Sequence, residues 1–174
     1  MAASPDQVFN LIFSVFIENE ILLADPTVIL APMTGKPIHI LVADDDDDDQ
    51  FIIKEAISEF NNKHIKISSV YDGLQLMDFL RKKGGFAAED KPDLILLDIN
   101  MPILNGIQAL GQIKKDPAFS QIPVCMISTL RTEEKQQECR KLGALDFYCK
   151  PNHISAYRNI IEEIFTRTIY TENV

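Results

Sequence analysis

The sequence predicts an α/β fold, a doubly wound parallel sheet of five strands with helices on both faces. Three observations predict it. Short apolar runs recur five times and alternate with stretches of helical periodicity. The first, third and fourth runs are almost wholly apolar, as in strands buried on both sides. Four of the five deliver carboxylates, hydroxyls or an amine at their ends, where parallel sheets collect ligands. The chain of 174 residues suits one domain and is short for two, and its 46% hydrophobic content can bury a sizeable core.

Each element carries its own signal. Ile38–Ala43 reads as the first buried strand, ending in carboxylates. Asp47, Asp48 and Asp49 open a helix, because acidic side chains suit the positive helix end, and Phe51, Ile52, Ile57 and Phe60 continue it. The β-branched run Ile65–Val70 is the second strand. Asp72 caps the next helix, with Leu74, Met77 and Leu80 on one face and Gly84-Gly85 as its stop. Leu94–Leu97 forms the third strand and leads into Asp98. Asn105-Gly106 starts a helix through Ile113. Residues 122–127 form the fourth strand, ending at Ser128-Thr129. Thr132-Glu133-Glu134 caps a helix that runs to Leu142 and stops at Gly143. Asp146–Cys149 is a short fifth strand, and residues 152–169 form the last helix. Right-handed crossovers leave few topologies, and the flavodoxin-like (βα)5 strand order 2-1-3-4-5 is the natural one.

Residues 1–37 read as an N-terminal extension and residues 171–174 as a tail, flanking a domain at 38–170. Within the extension, residues 7–23 fit an amphipathic helix, a loosely ordered segment or a start codon placed too far upstream. No function attaches to it.

Composition excludes several classes. A formal net charge of −9 repels nucleic-acid phosphates and anionic lipid, so neither is an expected partner. No apolar stretch approaches the ~20 residues of a membrane span, and no basic residue precedes the early apolar segment as in a secretory signal. Cys125, Cys139 and Cys149 show no C-x-x-C spacing, which suits reduced thiols and a cytoplasmic location.

The chemistry lies at the strand ends. Strand one delivers Asp44 and Asp45, strand three Asp98, strand four Ser128 and Thr129, and strand five Lys150. In the order 2-1-3-4-5 these strands are neighbours, so the side chains converge on one sheet edge. Three carboxylates at ~4.5 Å repel by roughly 3–4 kcal/mol per pair at an effective dielectric of about 20. A cation or protonation must relieve them. All-oxygen ligands without His or Cys favour Mg²⁺ or Mn²⁺. Carboxylate, metal and Lys150 together suit phosphoryl transfer to a carboxylate, with Ser128 and backbone N–H groups after Asp98 binding the equatorial oxygens.

These residues also carry a resemblance. Leu41-Val42-Ala43-Asp44-Asp45, Leu94 through Pro102, Asn105-Gly106, Ile122-Pro123-Val124 through Ser128-Thr129, and Lys150-Pro151 resemble the motifs of response-regulator receiver domains of two-component systems, over about residues 38–170. The resemblance implies a phosphoprotein with Asp98 as phosphoacceptor, Asp44 and Asp45 as the acidic pocket, and Mg²⁺ as cofactor. Asp45 is then the more direct metal ligand, Asp44 acts through water, and Asn100 offers its backbone carbonyl. Ser128 and Phe147 are the implied switch residues, and Lys150 the implied contact to the phosphoryl oxygens. The Lys150–Pro151 peptide is often cis in this family.

Acidic residues past Asp45, Arg81-Lys82-Lys83-Gly84-Gly85-Phe86, and Ile113-Lys114-Lys115-Asp116-Pro117 are similar to stand-alone, phytochrome-associated regulators. One departure is Leu130, whose apolar side chain is expected to shield an acyl phosphate from water. The resemblance implies a phosphorelay protein rather than an enzyme. Its donor is a sensor histidine kinase or phosphotransfer protein, its output is binding of a downstream protein, and it has the option of forming a homodimer. With the last helix ending near Val174, no output domain is expected.

Other readings fit less well. An EF-hand count over Asp44, Asp46, Asp48 and Glu55 fails at Asp49, where Gly is required, and a strand precedes the loop. A Walker-B role for Asp98 lacks its glycine-rich partner. A phosphatase nucleophile usually has a second Asp where Asn100 stands, and a degenerate adaptor would not retain Asp45, Asp98, Ser128 and Lys150 together. Asp46 to Asp49 read as solvated helix-opening residues. His39, His64 and His153 show no ligand spacing and read as structural, as do Cys125 and Cys149 as buried inert thiols.

Overall fold

The computed structural model describes residues 36–60, 65–129, 132–151 and 153–168. The helix expected over residues 7–23, the flanking segments' bounds, and the positions of His64 and Leu130 lie outside the described residues.

The element order is β1 (Ile38–Ala43), α1 (Asp47–Ser58), β2 (Ile65–Val70), α2 (Gly73–Leu80), a short 3₁₀ turn (Gly84–Phe86), β3 (Leu94–Leu97), α3 (Gly106–Lys115), β4 (Val124–Ser128), α4 (Glu133–Leu142), β5 (Asp146–Cys149) and α5 (Ile154–Thr168). All strand pairs are parallel, in the order β2-β1-β3-β4-β5. This is the expected (βα)5 flavodoxin-like sheet.

Alternation along each strand divides the core in two. Leu41, Ala43, Ile95, Leu97, Val124 and Met126 face α2, α3 and α4. Ile40, Val42, Leu94, Leu96, Cys125 and Ile127 face α1 and α5. All twelve are essentially inaccessible, so truncating any of the large ones to Ala costs about 2–5 kcal/mol. That two-sided burial is why the strands read as continuous apolar runs.

Local chemistry sets the boundaries. Asp46 caps α1, its carboxylate accepting from the Asp48 and Asp49 N–H groups. Asp72 caps α2 through Gln75 N. Asn105 and Gln108 form a reciprocal capping box at α3. Gly143 closes α4 at φ 96°, a left-handed conformation in which a Cβ is strained. Thr132 occupies the α4 cap position, but its side chain makes no capping bond.

Some expectations need correction. Leu74 is exposed, and the buried face of α2 is Leu76, Met77, Phe79 and Leu80. The helix ends at Leu80, before Gly84-Gly85, because Lys82 already takes a positive φ of 55°. β4 begins at Val124, two residues late, because Pro123 has no N–H for the ladder. No peptide bond among the described residues is cis, so Lys150–Pro151 is trans, the lower-energy isomer of an X-Pro bond. Cys149 is half-buried rather than buried. Cys125 is buried, and burial pushes its thiol up to about 12, leaving it protonated and inert.

His39 is a structural histidine. Its ring lies edge-on to Phe79, and Nε2 is 2.9 Å from Ser68 Oγ. Among the described residues, no helix is long and apolar enough to cross a membrane.

Candidate functional site

Backbone register brings the site together. Ala43 of β1 pairs with Leu97 of β3, and Asp98 N donates to Ala43 O at 2.9 Å. Asp44 and Asp98 therefore leave adjacent strands at the same level. Ser128 of β4 pairs with Cys149 of β5, and Lys150 N donates to Ser128 O at 3.0 Å. The four residues at the ends of β1, β3, β4 and β5 thus meet at the carboxyl edge of the sheet. Asp44, Asp98, Ser128 and Lys150 are all buried, against the usual preference of such groups for water.

One carboxylate oxygen from each of Asp44, Asp45 and Asp98 lies within 4.8 Å of the others. At that spacing each charged pair costs roughly 3 kcal/mol for an effective dielectric of about 20. Lys150 answers part of this charge. Its Nζ lies 2.6 Å from Asp44 Oδ2, 2.7 Å from Asp49 Oδ2 and 3.4 Å from Asp98 Oδ1.

The two ends of the Asp44–Lys150 pair are unequal. Burial pushes the Asp44 carboxyl up to about 6, against the pull of Lys150 and the N–H of Asp46. Burial alone would lower the Lys150 ammonium, but its bonds to Asp44 and Asp49 and the charge of Asp98 outweigh that and push it up. The ammonium is thus firmly charged, while the Asp44 carboxyl is held above the usual carboxylate range.

Two buried oxygens of the site lack hydrogen bonds: Asp98 Oδ1 and Ser128 Oγ. Asp98 Oδ2 is occupied, accepting from Asn100 N at 2.6 Å. Unpaired buried polar atoms are costly and call for an explanation, and an absent ligand is one. The donor set of three carboxylates and no His or Cys fits a hard divalent cation.

Tight packing fixes the loop after Asp98. A Cβ on Gly106 would stand 1.9 Å from Asp98 O, so the start of α3 presses directly on the Asp98 backbone. Between them, Leu104 N donates to Pro102 O at 2.6 Å across Ile103, whose φ is 65°. A β-branched residue there is strained, and Ile103 is 77% exposed.

Residues 40–162 match the model of the response regulator receiver domain. The chain belongs to this family. It is 30% identical over 132 residues to the two-component response regulator ARR7 of Arabidopsis thaliana, covering 74% of this chain and 63% of that one. The phosphorylated cyanobacterial phytochrome response regulator RcpA is similar in structure, with a TM-score of 0.72, 31% identity, and coverage of 78% of this chain and 96% of that one. The Mn²⁺-bound form of response regulator Rcp1 gives a TM-score of 0.70 at 26% identity, covering 79% and 97% respectively. Likeness to stand-alone phytochrome regulators, read from the sequence, is thus found in the comparisons too.

In this receiver the expected site residues are brought together with two qualifications. Asp45 belongs to the carboxylate cluster but is exposed, the one member open to water. Phe147 is half-buried and packs against the core under α2, α3 and α4. Sequence reasoning misses Asp49. It places that residue among solvated ones, yet the carboxylate bonds Lys150 and accepts from Tyr157 Oη at 3.3 Å. No periodicity singles it out, because Asp45 precedes the extended Asp46 cap and lies outside α1.

Proposed function

We propose that this receiver is a phosphorylation switch in which Asp98 accepts a phosphoryl group from a phosphohistidine donor. The observation that carries the reading is the Asp98 Oδ1 atom: buried, without a hydrogen bond, and set among two further carboxylates and an ammonium. Family membership supplies the setting, a two-component signalling module.

Oδ1 attacks phosphorus, a P–O bond forms, and the P–N bond to the donor imidazole breaks. The imidazole nitrogen keeps the electron pair and takes a proton from solvent. Asp45, Asp98 and the Asn100 carbonyl would hold Mg²⁺ directly, with Asp44 acting through water, and the ion would supply neutralisation of charge on the phosphoryl oxygens. The Mn²⁺-bound form of Rcp1 supports a divalent ion here. Lys150 contacts the phosphoryl oxygens from the opposite side, and the Ser128 hydroxyl, now unpartnered, donates to one of them. Phe147 repacks as Ser128 shifts, changing the surface of α4, β5 and α5.

In this reading residues 38–170 form the receiver, with residues 1–37 and 171–174 as flanking segments. The donor is a sensor histidine kinase or phosphotransfer protein. Output passes to a downstream protein in the cytoplasm or through a homodimer, without nucleic acid or membrane contact. The chemistry is self-catalysed uptake and release rather than turnover of a substrate. Incubation with Mg²⁺ and a small acyl phosphate, read by intact mass, tests it. One phosphoryl group is expected on the wild type and none on Asp98→Ala. Equal labelling of both removes Asp98 from the role.

A further inference from the structure

Lys150 makes its two shortest contacts away from Asp98. They go to Asp44 at 2.6 Å and to Asp49 at 2.7 Å, whereas Asp98 Oδ1 stands off at 3.4 Å without a hydrogen bond. Asp44 belongs to the acidic cluster, but Asp49 does not. Asp49 stands instead in the first turn of α1, and both its oxygens are engaged. Oδ2 accepts from Lys150 and Oδ1 accepts from the Tyr157 hydroxyl. Tyr157 lies in the first half of α5 and is 1% exposed, so its hydroxyl has little access to water. Burial and the Asp49 charge push that hydroxyl's pKa up, which keeps it a donor. One carboxylate therefore ties α1 to α5 and to the residue that follows β5.

We propose that Asp49, steadied by Tyr157, is a positioning residue that holds the Lys150 ammonium back from Asp98 and yields it when a phosphoryl group arrives. The inference rests on the phosphoacceptor reading of Asp98. A phosphoryl group brings close to two negative charges to the Asp98 side of the ammonium. Asp49, with 26% of its side chain exposed, loses less than buried Asp44 on giving up the contact, because water replaces it. Release of Oδ2 alters the Tyr157 bond to Oδ1, so occupancy of the site reaches the α1–α5 face. This path is separate from Ser128 and Phe147, which lie toward α4.

The test uses the full chain with ¹⁵N-labelled lysine and ¹³Cζ-labelled tyrosine. In the unphosphorylated protein the Lys150 ammonium resonance is expected to shift strongly in Asp49→Asn, less in Tyr157→Phe, and to return toward its original position in Asp49→Glu. Adding Mg²⁺ and beryllium fluoride, a phosphoryl mimic, is expected to move the Tyr157 Cζ signal in wild type and leave it still in Asp49→Asn. Uptake from a small acyl phosphate is expected to rise about three- to tenfold in Asp49→Asn, the scale of one charge-assisted hydrogen bond.

A Lys150 resonance identical in wild type and Asp49→Asn overturns the proposal, as does a Tyr157 signal indifferent to the mimic while Lys150 moves. If Lys150 responds to Asp49→Asn but wild type gains no phosphoryl mass, the Asp98 reading fails. The release step fails with it, and the holding contact stands. Loss of the fold in Asp49→Asn is separated from loss of the contact by Asp49→Glu, which keeps the charge.

Discussion

The Lys150 ammonium is 0.8 Å nearer to Asp44 Oδ2 than to Asp98 Oδ1, at 2.6 Å against 3.4 Å. The resting site thus spends its one buried cation on the carboxylates that flank the acceptor. Replacing Lys150 with Met separates its two roles. Loss of a charge-assisted contact to the phosphoryl group lowers uptake by about tenfold or more. Mg²⁺ binding tightens, because a competing cation has left the carboxylates. Intact-mass kinetics and Mg²⁺ calorimetry measure the two effects.

Gly106 is expected to be intolerant of any side chain. A Cβ 1.9 Å from Asp98 O forces either α3 or the Asp98 backbone to move. Gly106→Ala is predicted to cost about 3 kcal/mol in urea unfolding and to depress phosphoryl uptake beyond that loss. Gly111→Ala is its control, since that position offers only a 3.9 Å contact to Leu142.

At Ile103 the opposite sign is expected. Its positive φ and exposed side chain mean that Ile103→Gly relieves backbone strain while removing almost no packing. A stability gain of about 1 kcal/mol is predicted by urea unfolding. A loss would show that Ile103 makes contacts within the folded chain that outweigh its strain.

The fold was legible because burial on both faces leaves an unmistakable apolar signature, and because parallel order forces strand ends to one edge. Asp44, Asp98, Ser128 and Lys150 needed only that order to converge. Two features were not legible. Asp49 stood in a run of six aspartates, where Asp46 caps the helix and Asp47 and Asp48 are exposed, so composition masked the one helix-opening residue that turns inward. Ile103 gave no turn signal, since its residue type disfavours positive φ. Its conformation is set by neighbours: Gly106 docked on Asp98, and Leu104 O accepting from Gly73 N at 3.0 Å.

Asp44 makes the metal-free protein sensitive to pH. Burial raises its carboxyl from 3.8 to about 6 on folding. A carboxyl raised in the folded state contributes stability fully below its unfolded value, and that contribution fades as pH climbs through the folded value. The window is therefore about pH 4 to 6, and a shift of roughly two units corresponds to roughly 3 kcal/mol. In chelator, wild-type stability relative to Asp44→Asn is predicted to fall as pH rises from 4.5 to 6.5. Saturating Mg²⁺ is predicted to reverse that slope, since metal binding favours the ionised carboxylate. Urea unfolding with and without chelator, at closely spaced pH values, checks both.

Borohydride trapping addresses the central claim most directly. Phosphorylation by a small acyl phosphate in Mg²⁺, then reduction and peptide mass spectrometry, converts an aspartyl phosphate to homoserine at the labelled position. Homoserine at position 98 alone is predicted, vanishing in chelator. Homoserine at 44 or 45, or phosphate retained on a serine or histidine after reduction, would contradict the account.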